Sequence, residues 1–333
     1  MTVRIITDST TDVTPAAARQ LNLGVVPLKV LFGQEEYRDG IDLTMEEFYT
    51  KLTSNDQLPT TSQPSPNDFL TEFEKAKAAG EEIVVLTLSS QLSGTYQSAQ
   101  LAKDYCEYEP IYIVDSLSAT IGTQLLLREA IRLRDAGQSA SQIAQQLEQL
   151  KERVTIVAAV DTLEYLVKGG RLSKAAGFAG SLLGIHPMIT LAEGKISVLG
   201  KARGKKATLQ LFWQQMEKLG MPDLTFEPIF GYTGNREAVE DLITFMDEKA
   251  IVSPQVCGVG SVIGTHTGPG VSAIAYIRQH KRNNVGNIKL VFQRFLFVIL
   301  ITALQEPATT TGTFGIIEDV IALIFRMSHP FYL

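Results

Sequence analysis

The chain has 333 residues, is 45% hydrophobic and 20% charged, and carries a net charge of −6. That composition fits a globular protein of one large or two ordinary domains, and the acidic balance argues against nucleic acid as a partner. The two cysteines, Cys106 and Cys257, match no metal or disulfide spacing and fit buried small side chains in a reducing cytoplasm.

The first residues, MTVRIITDST, carry no basic-then-apolar leader pattern, so a cytoplasmic location is expected. VRIITDS (3–9) reads as a buried parallel strand whose polar end lies at the sheet edge. A short helix over 16–21, a second strand over 23–32 and a helix over 44–52 follow. TTSQPSPNDF (60–69) reads as a loop that becomes a helix start, with Ser65 as N-cap and Pro66 at the first position. That helix runs to about Ala79, where Gly80 stops it. EIVVLTLSS (82–90) is the third strand, SGTYQSAQLAKDYC (93–106) a helix, and PIYIVDS (110–116) the fourth strand. Helices over 118–136 and 140–152 complete this half, the second capped at Ser139 or Ser141.

A boundary falls near 150–156. Beyond it come a strand (155–163), a basic glycine loop (166–174) and a hairpin (185–203) around Glu193-Gly194. A helix (208–219), a strand (228–233), a helix (237–249) and strands at 256–263 and 271–277 follow, the last two separated by the loop GTHTGPG (264–270). Strands alternating with helices predict a parallel sheet covered on both faces, with ligands at the carboxyl ends of its strands.

Hydroxyls, carboxylates and glycines cluster at those ends. In TDSTTD (7–12), Asp8, Ser9 and Thr10 are either a ligand-edge element or a local helix cap. Thr60, Thr61 and Ser62 exceed what capping at Ser65 needs, and spare hydroxyls near a helix N-terminus suit an anion, with an ordinary polar turn as the alternative. Ser93, followed by Gly94 at a helix start, is an anion donor, an N-cap or a nucleophile; the donor role is favoured because the G-x-S-x-G elbow is missing. Lys168, Arg171 and Lys174 surround two glycines, as a phosphate site, a partner site or solvated surface. Arg203 ends a strand, where an inward guanidinium pairs well with a carboxylate. His266, between two threonines and framed by Gly264, Gly268 and Gly270, stands out among the four histidines. No second His or Cys lies near it in sequence, so no metal is expected.

Together DST-x-D (8–12), TSQPS (61–65), S-x-x-LSGTYQSA (89–99), VDS (114–116), L-x-KGGR-[IL]-S (166–173) and G-x-H-x-GPG (264–270) resemble the DegV family from residue 2 to about 277. The resemblance implies two α/β domains, an N-terminal parallel-sheet three-layer domain (1–153) and a C-terminal α/β domain (154–280), with a lipid pocket between them. It implies a protein that binds one long-chain fatty acid and, with no catalysis of its own and no cofactor, presents the carboxylate to a separate ATP-dependent fatty acid kinase subunit for acyl phosphate formation. The carboxylate-binding residues it implies are Thr61, Ser62, Ser93, Gly94, Arg203 and His266, with His266 also assisting phosphoryl transfer, and Arg171 docks the kinase. A lipid sensor or carrier without a kinase, and a hydrolase using Ser93 and His266, are the alternatives. His186 departs from the family, where lysine is common.

Residues 281–333 have no counterpart in the family pattern. They hold five basic and three acidic residues and two apolar segments, 292–304 and 314–325. The mainly apolar stretch Phe295–Leu304 is shorter than the roughly 20 residues a membrane-spanning helix needs. The tail is read as a packed two-helix extension, a membrane-surface anchor or a non-native extension, with no stable span of the membrane.

Overall fold

The structure, a computed structural model, describes residues 2–55, 57–173 and 184–280. The tail from 281 and Lys174 lie outside the described residues. Residues up to Gln279 form one compact unit.

In chain order the strands are β1 (Val3–Asp8), β2 (Leu23–Val26), β3 (Lys29–Phe32), β4 (Glu35–Arg38), β5 (Thr60–Ser62), β6 (Glu82–Thr87), β7 (Ile111–Asp115), β8 (Val154–Ala159), β9 (Ile185–Ala192), β10 (Lys195–Arg203), β11 (Ile229–Tyr232), β12 (Val256–Gly258) and β13 (Ser272–Ile277). The helices are α1 (Pro15–Gln20), α2 (Met45–Ser54), α3 (Pro66–Ala78), α4 (Thr95–Cys106), α5 (Thr120–Asp135), α6 (Ala140–Leu150), α7 (Glu164–Lys168), α8 (Lys205–Leu219), α9 (Glu237–Asp247) and α10 (Ser261–Thr267).

The expected parallel sheet is present, in the order β2-β1-β6-β7. Its central strands are apolar on both faces because both are covered. Ile6, Val26, Ile83 and Val85 pack on Phe69, Phe73, Ala99 and Ala102 of α3 and α4. Ile5, Val84 and Leu86 face Ile121, Leu125 and Leu126 of α5 and Ile143 and Leu147 of α6. Residues 154–277 build a second, six-stranded sheet in the order β10-β9-β8-β13-β11-β12, antiparallel except for the β11–β12 pair. One face of it, through Ile156, Ala158, Ile189 and Ala273, joins the same core as α5; the other packs on Phe212 and Met216 of α8 and Val239 and Leu242 of α9. Helix α5 is therefore held between the two sheets. The β9–β10 hairpin turns at Glu193-Gly194 as expected, both with positive φ (50° and 78°), the backbone that suits two-residue hairpins.

The caps follow the sequence. Thr14, Thr44, Ser65 and Ser139 each accept a backbone N–H at a helix start, with Pro15 and Pro66 in first positions. Several expected boundaries change. The strand over 23–32 is two strands in different sheets, because the chain turns at Pro27, whose nitrogen has no hydrogen to donate to a ladder. Part of the TTSQPS loop is β5, paired with β3 in a small sheet ordered β4-β3-β5. The 93–106 helix begins at Thr95, with Gly94 as N-cap. Residues 164–168 of the glycine-loop region form α7. The strand over 256–263 ends at Gly258, and GTHTGPG is not wholly a loop: Gly264–Thr267 are the end of α10, and Gly268 (φ 74°) terminates it.

Candidate ligand site

A cavity of about 340 Å³ opens between the carboxyl end of the parallel sheet and α10. Thr61, Ser62, Ser93, Arg171 and His266 all line it, so the structure brings together residues that are up to 205 positions apart. Leu28, Leu88, Leu92, Leu166, Val262 and Ile263 supply the apolar wall beside them. A narrower space of about 70 Å³ shares Ala119, Ile196, Ile263 and Thr267 with the first cavity and runs inward between Ile121, Ile156, Ile189 and Ala273. One end is polar and the other is closed by branched and small apolar side chains.

His266 is the centre of the polar end. It sits in the last turn of α10, 9% exposed. Its Nε2 lies 2.9 Å from Oγ1 of Thr61. Its Nδ1 is buried with no hydrogen-bond partner and rests against Gly169, where any Cβ would collide with it. An orphaned N–H costs more than an orphaned lone pair, so the neutral ring carries its proton on Nε2 and donates to Thr61. The Thr61 hydroxyl hydrogen is then free to donate into the cavity. Burial, reinforced by the positive Arg171 nearby, pushes the His266 pKa down to about 4, so the ring is neutral at pH 7.

Ser93 precedes α4, and its Oγ lies 2.9 Å from that of Thr95. The α4 N-terminus has no side-chain cap, which leaves first-turn N–H groups for an acceptor. Gly94 is packed under Gln63: a Cβ at 94 would collide with the Gln63 amide, whose Nε2 donates to Gly94 O at 3.2 Å and Ser98 Oγ at 2.9 Å. Among the described residues Ser93 and His266 do not hydrogen-bond each other and no carboxylate is bonded to His266, so these residues do not form the nucleophile–base–orienter arrangement of a serine hydrolase.

Arg171 is half-buried. Its Nε donates to Leu92 O at 3.1 Å and its Nη1 to Gly169 O at 2.7 Å, and among the described residues it has no carboxylate partner. Burial lowers its pKa, but a guanidinium stays charged. Among the described residues it is the cation that lines the cavity. Arg203 is not: it is exposed on β10 and lines a separate open groove with Lys201, Lys205 and Lys206. The inward guanidinium expected there is replaced by an outward one because residue 203 falls on the solvent side of an edge strand.

TDSTTD does not reach the cavity. Asp8 caps the turn Ser9–Thr11, accepting from Thr10 N and Oγ1 and, at 2.7 Å, from Leu88 N; burial raises its pKa to about 6. Asp12, Thr14 and Ser9 border a groove on another face. His186 pairs with Asp161, Nδ1 to Oδ1 3.2 Å, on the surface. Among the described residues no cluster of three His, Cys, Asp or Glu side chains is placed to hold a metal. The apolar lining residues were invisible as a site because they come from nine separate segments and read as ordinary core. The Gly169 contact with His266 carried one signal, the paired glycines of KGGR.

An α/β unit with this cleft at strand ends is the architecture of the DegV family, and the chain belongs to it. The family model described as "Uncharacterised protein, DegV family" matches residues 2–279. A DegV domain-containing protein from Clostridium perfringens is 30% identical over 278 residues, 84% of this chain and 99% of the relative. Among solved structures, the chain is similar to a fatty-acid-binding DegV family protein from Thermus thermophilus (TM-score 0.75, 32% identity, 83% of this chain and 100% of that one). It is also similar to the fatty acid kinase B3 protein of Streptococcus pneumoniae loaded with linoleic acid (TM-score 0.73, 25% identity, 84% and 100%). No described helix is long and apolar enough to cross a membrane.

Proposed function

We propose that the protein binds one long-chain fatty acid and presents its carboxylate to a separate ATP-dependent kinase subunit, which forms the acyl phosphate. The observation that carries this reading is the cavity's polarity: among the described residues, hydroxyls, a neutral imidazole and one guanidinium at one end, and beyond Ile196 and Ile263 a mainly aliphatic wall whose threonines turn no polar atoms to the space. A molecule with a single anionic head and a long hydrocarbon chain matches both ends. The relatives support it, since two solved proteins of this fold are a fatty-acid-binding protein and a fatty acid kinase B3 protein.

Burying about 15 methylenes at ~0.8 kcal/mol each supplies on the order of 12 kcal/mol gross, reduced by the motion lost on binding. The carboxylate must be hydrogen-bonded to enter as an anion. Thr61, Ser62, Ser93 and the N–H of Gly94 supply donors, Thr61 relaying the His266 proton. His266, neutral and buried, also stands ready to assist once a phosphoryl group is delivered. Arg171, held at the cavity by two carbonyls, is assigned to docking the kinase; Arg203 is given no part in holding the head group.

The test is a coupled assay: the purified protein, oleate, ATP and a bacterial fatty acid kinase catalytic subunit, with acyl phosphate trapped by hydroxylamine. Product should require both proteins. Arg171→Ala should retain oleate and lose product. Bound oleate with no product against any such kinase would replace this reading with a lipid sensor or carrier.

A further inference from the structure

The carboxylate of Asp12, in the DST-x-D stretch, and the buried carboxylate of Asp39 have no role in the cavity itself, yet both reach helix α10. This helix has no side-chain cap of its own; Gly260 is its N-cap. Instead, Oδ1 of Asp12 accepts from Gly260 N at 2.9 Å, and Oδ1 of Asp39 accepts from Ser261 N at 3.2 Å and from the Ser261 hydroxyl. The second oxygen of Asp12 accepts from Oγ1 of Thr120 at 2.5 Å. Thr120 and Ala119 line the apolar end of the cavity, and α10 supplies Val262, Ile263, His266 and Thr267. One carboxylate thus joins two walls of the cavity.

The local backbone shows how firmly. Thr120 has φ 44° and Asp12 φ 56°, conformations that a β-branched residue in particular adopts only when the surroundings impose them. On its other side, α10 meets Tyr49, whose hydroxyl donates to Val259 O at 3.0 Å, and Gly264 lets Tyr49 and Phe48 come close. Resting on the proposed fatty-acid reading, we infer that Asp12, seconded by Asp39, is a positioning residue: it fixes α10 against the start of α5 so that His266 meets Thr61 at the head of the cavity. Neither carboxylate touches the ligand. An asparagine at 12 can reproduce both contacts, accepting from Gly260 N and donating to Thr120, whose hydroxyl reverses. Alanine can reproduce neither.

The experiment compares Asp12→Ala, Asp12→Asn and Asp39→Ala, each alone and combined with His266→Ala, by oleate affinity per folded molecule. A second readout needs no lipid: the rate of His266 modification by diethylpyrocarbonate, followed by peptide mass spectrometry. Asp12→Ala and Asp39→Ala should weaken oleate about tenfold and speed His266 modification by about as much, as expected when a buried contact network is broken. Asp12→Asn should stay within about twofold of the unsubstituted protein in both. Each alanine variant combined with His266→Ala should bind no worse than His266→Ala alone. Additive losses, or lower melting temperatures with affinity and modification unchanged, would overturn the inference, and the Asp39 variant keeps the test in force should Asp12→Ala not fold. If the unsubstituted protein takes up no oleate while the modification rates still respond as stated, the fatty-acid reading fails and the positioning of His266 stands.

Discussion

The half of the chain before residue 153 and the half after it contribute different chemistry to one cavity. Thr61, Ser62 and Ser93 come from strand and helix ends of the first half and bring hydroxyls to the cavity. The second half contributes Ile196 from an exposed hairpin, Ile156, Ile189 and Ala273 from its sheet, and His266 from a seven-residue helix. The first half supplies most of the hydroxyls at the polar end, and the second supplies His266, Arg171 and most of the deeper apolar wall. Substitutions of those hydroxyls and of that deeper wall should therefore fail differently, one set losing the head group and the other the chain.

The largest effect is expected in the second half. Ile196→Asp puts an unpaired charge against the acyl chain, which costs several kcal/mol once water is excluded. Affinity for palmitate, measured by calorimetry, should fall more than about a hundredfold, while an eight-carbon acid should lose far less. Equal losses for both lengths would mean that the chain does not run past Ile196. Next come the donors. Ser93→Ala and Thr61→Val each remove a donor to a charged acceptor, worth roughly 1.5–3 kcal/mol, so each should weaken every chain length by about tenfold or more. A donor loss that depended on chain length would blur the division between the halves.

A smaller effect tests the protonation state of His266. Its pKa lies at about 4 in the folded protein against about 6.5 when exposed. The unfolded chain therefore binds the extra proton between these values. The stability this group contributes is full above pH 6.5 and is lost as pH falls toward 4. Asp8, raised to about 6, acts in the opposite sense: its contribution is full below about 4 and is lost as pH rises through 6. Comparison with His266→Gln isolates the histidine: from pH 7 to pH 6 the unsubstituted protein should lose about 0.7 kcal/mol relative to the variant in urea unfolding. No difference would mean that the ring titrates in the folded protein as it does when exposed. The smallest effect is expected for Arg203→Ala, which should leave affinity within about twofold, as for an exposed side chain; a tenfold loss would bring Arg203 back to the carboxylate.

Legibility in the sequence depended on how local the determining contacts are. The parallel sheet was readable because Ile5-Ile6 and Val84-Val85-Leu86 are apolar runs covered on both faces, and the caps at Thr14, Ser65 and Ser139 were readable because capping is local. Thr61, Ser62, Ser93 and His266 were legible as polar residues in excess of any structural need. What failed was short and set by tertiary contact. The apolar stretch VCGVGSVI (256–263) is strand only as far as Gly258, and the first N–H groups of α10 beyond it are held by carboxylates of Asp12 and Asp39, more than 200 positions away. β5 is three residues long and exists through pairing with β3. Whether Arg203 points in or out depends on where an edge strand meets solvent, which no local pattern encodes.

The central claim is that the cavity holds one fatty acid. Its most direct test is mass spectrometry of lipid extracted under denaturing conditions from the freshly purified protein, with uptake of added oleate and palmitate measured on the same preparation. The account predicts one long-chain fatty acid per chain, retained through purification. A protein that emerges empty and takes up neither acid would contradict it.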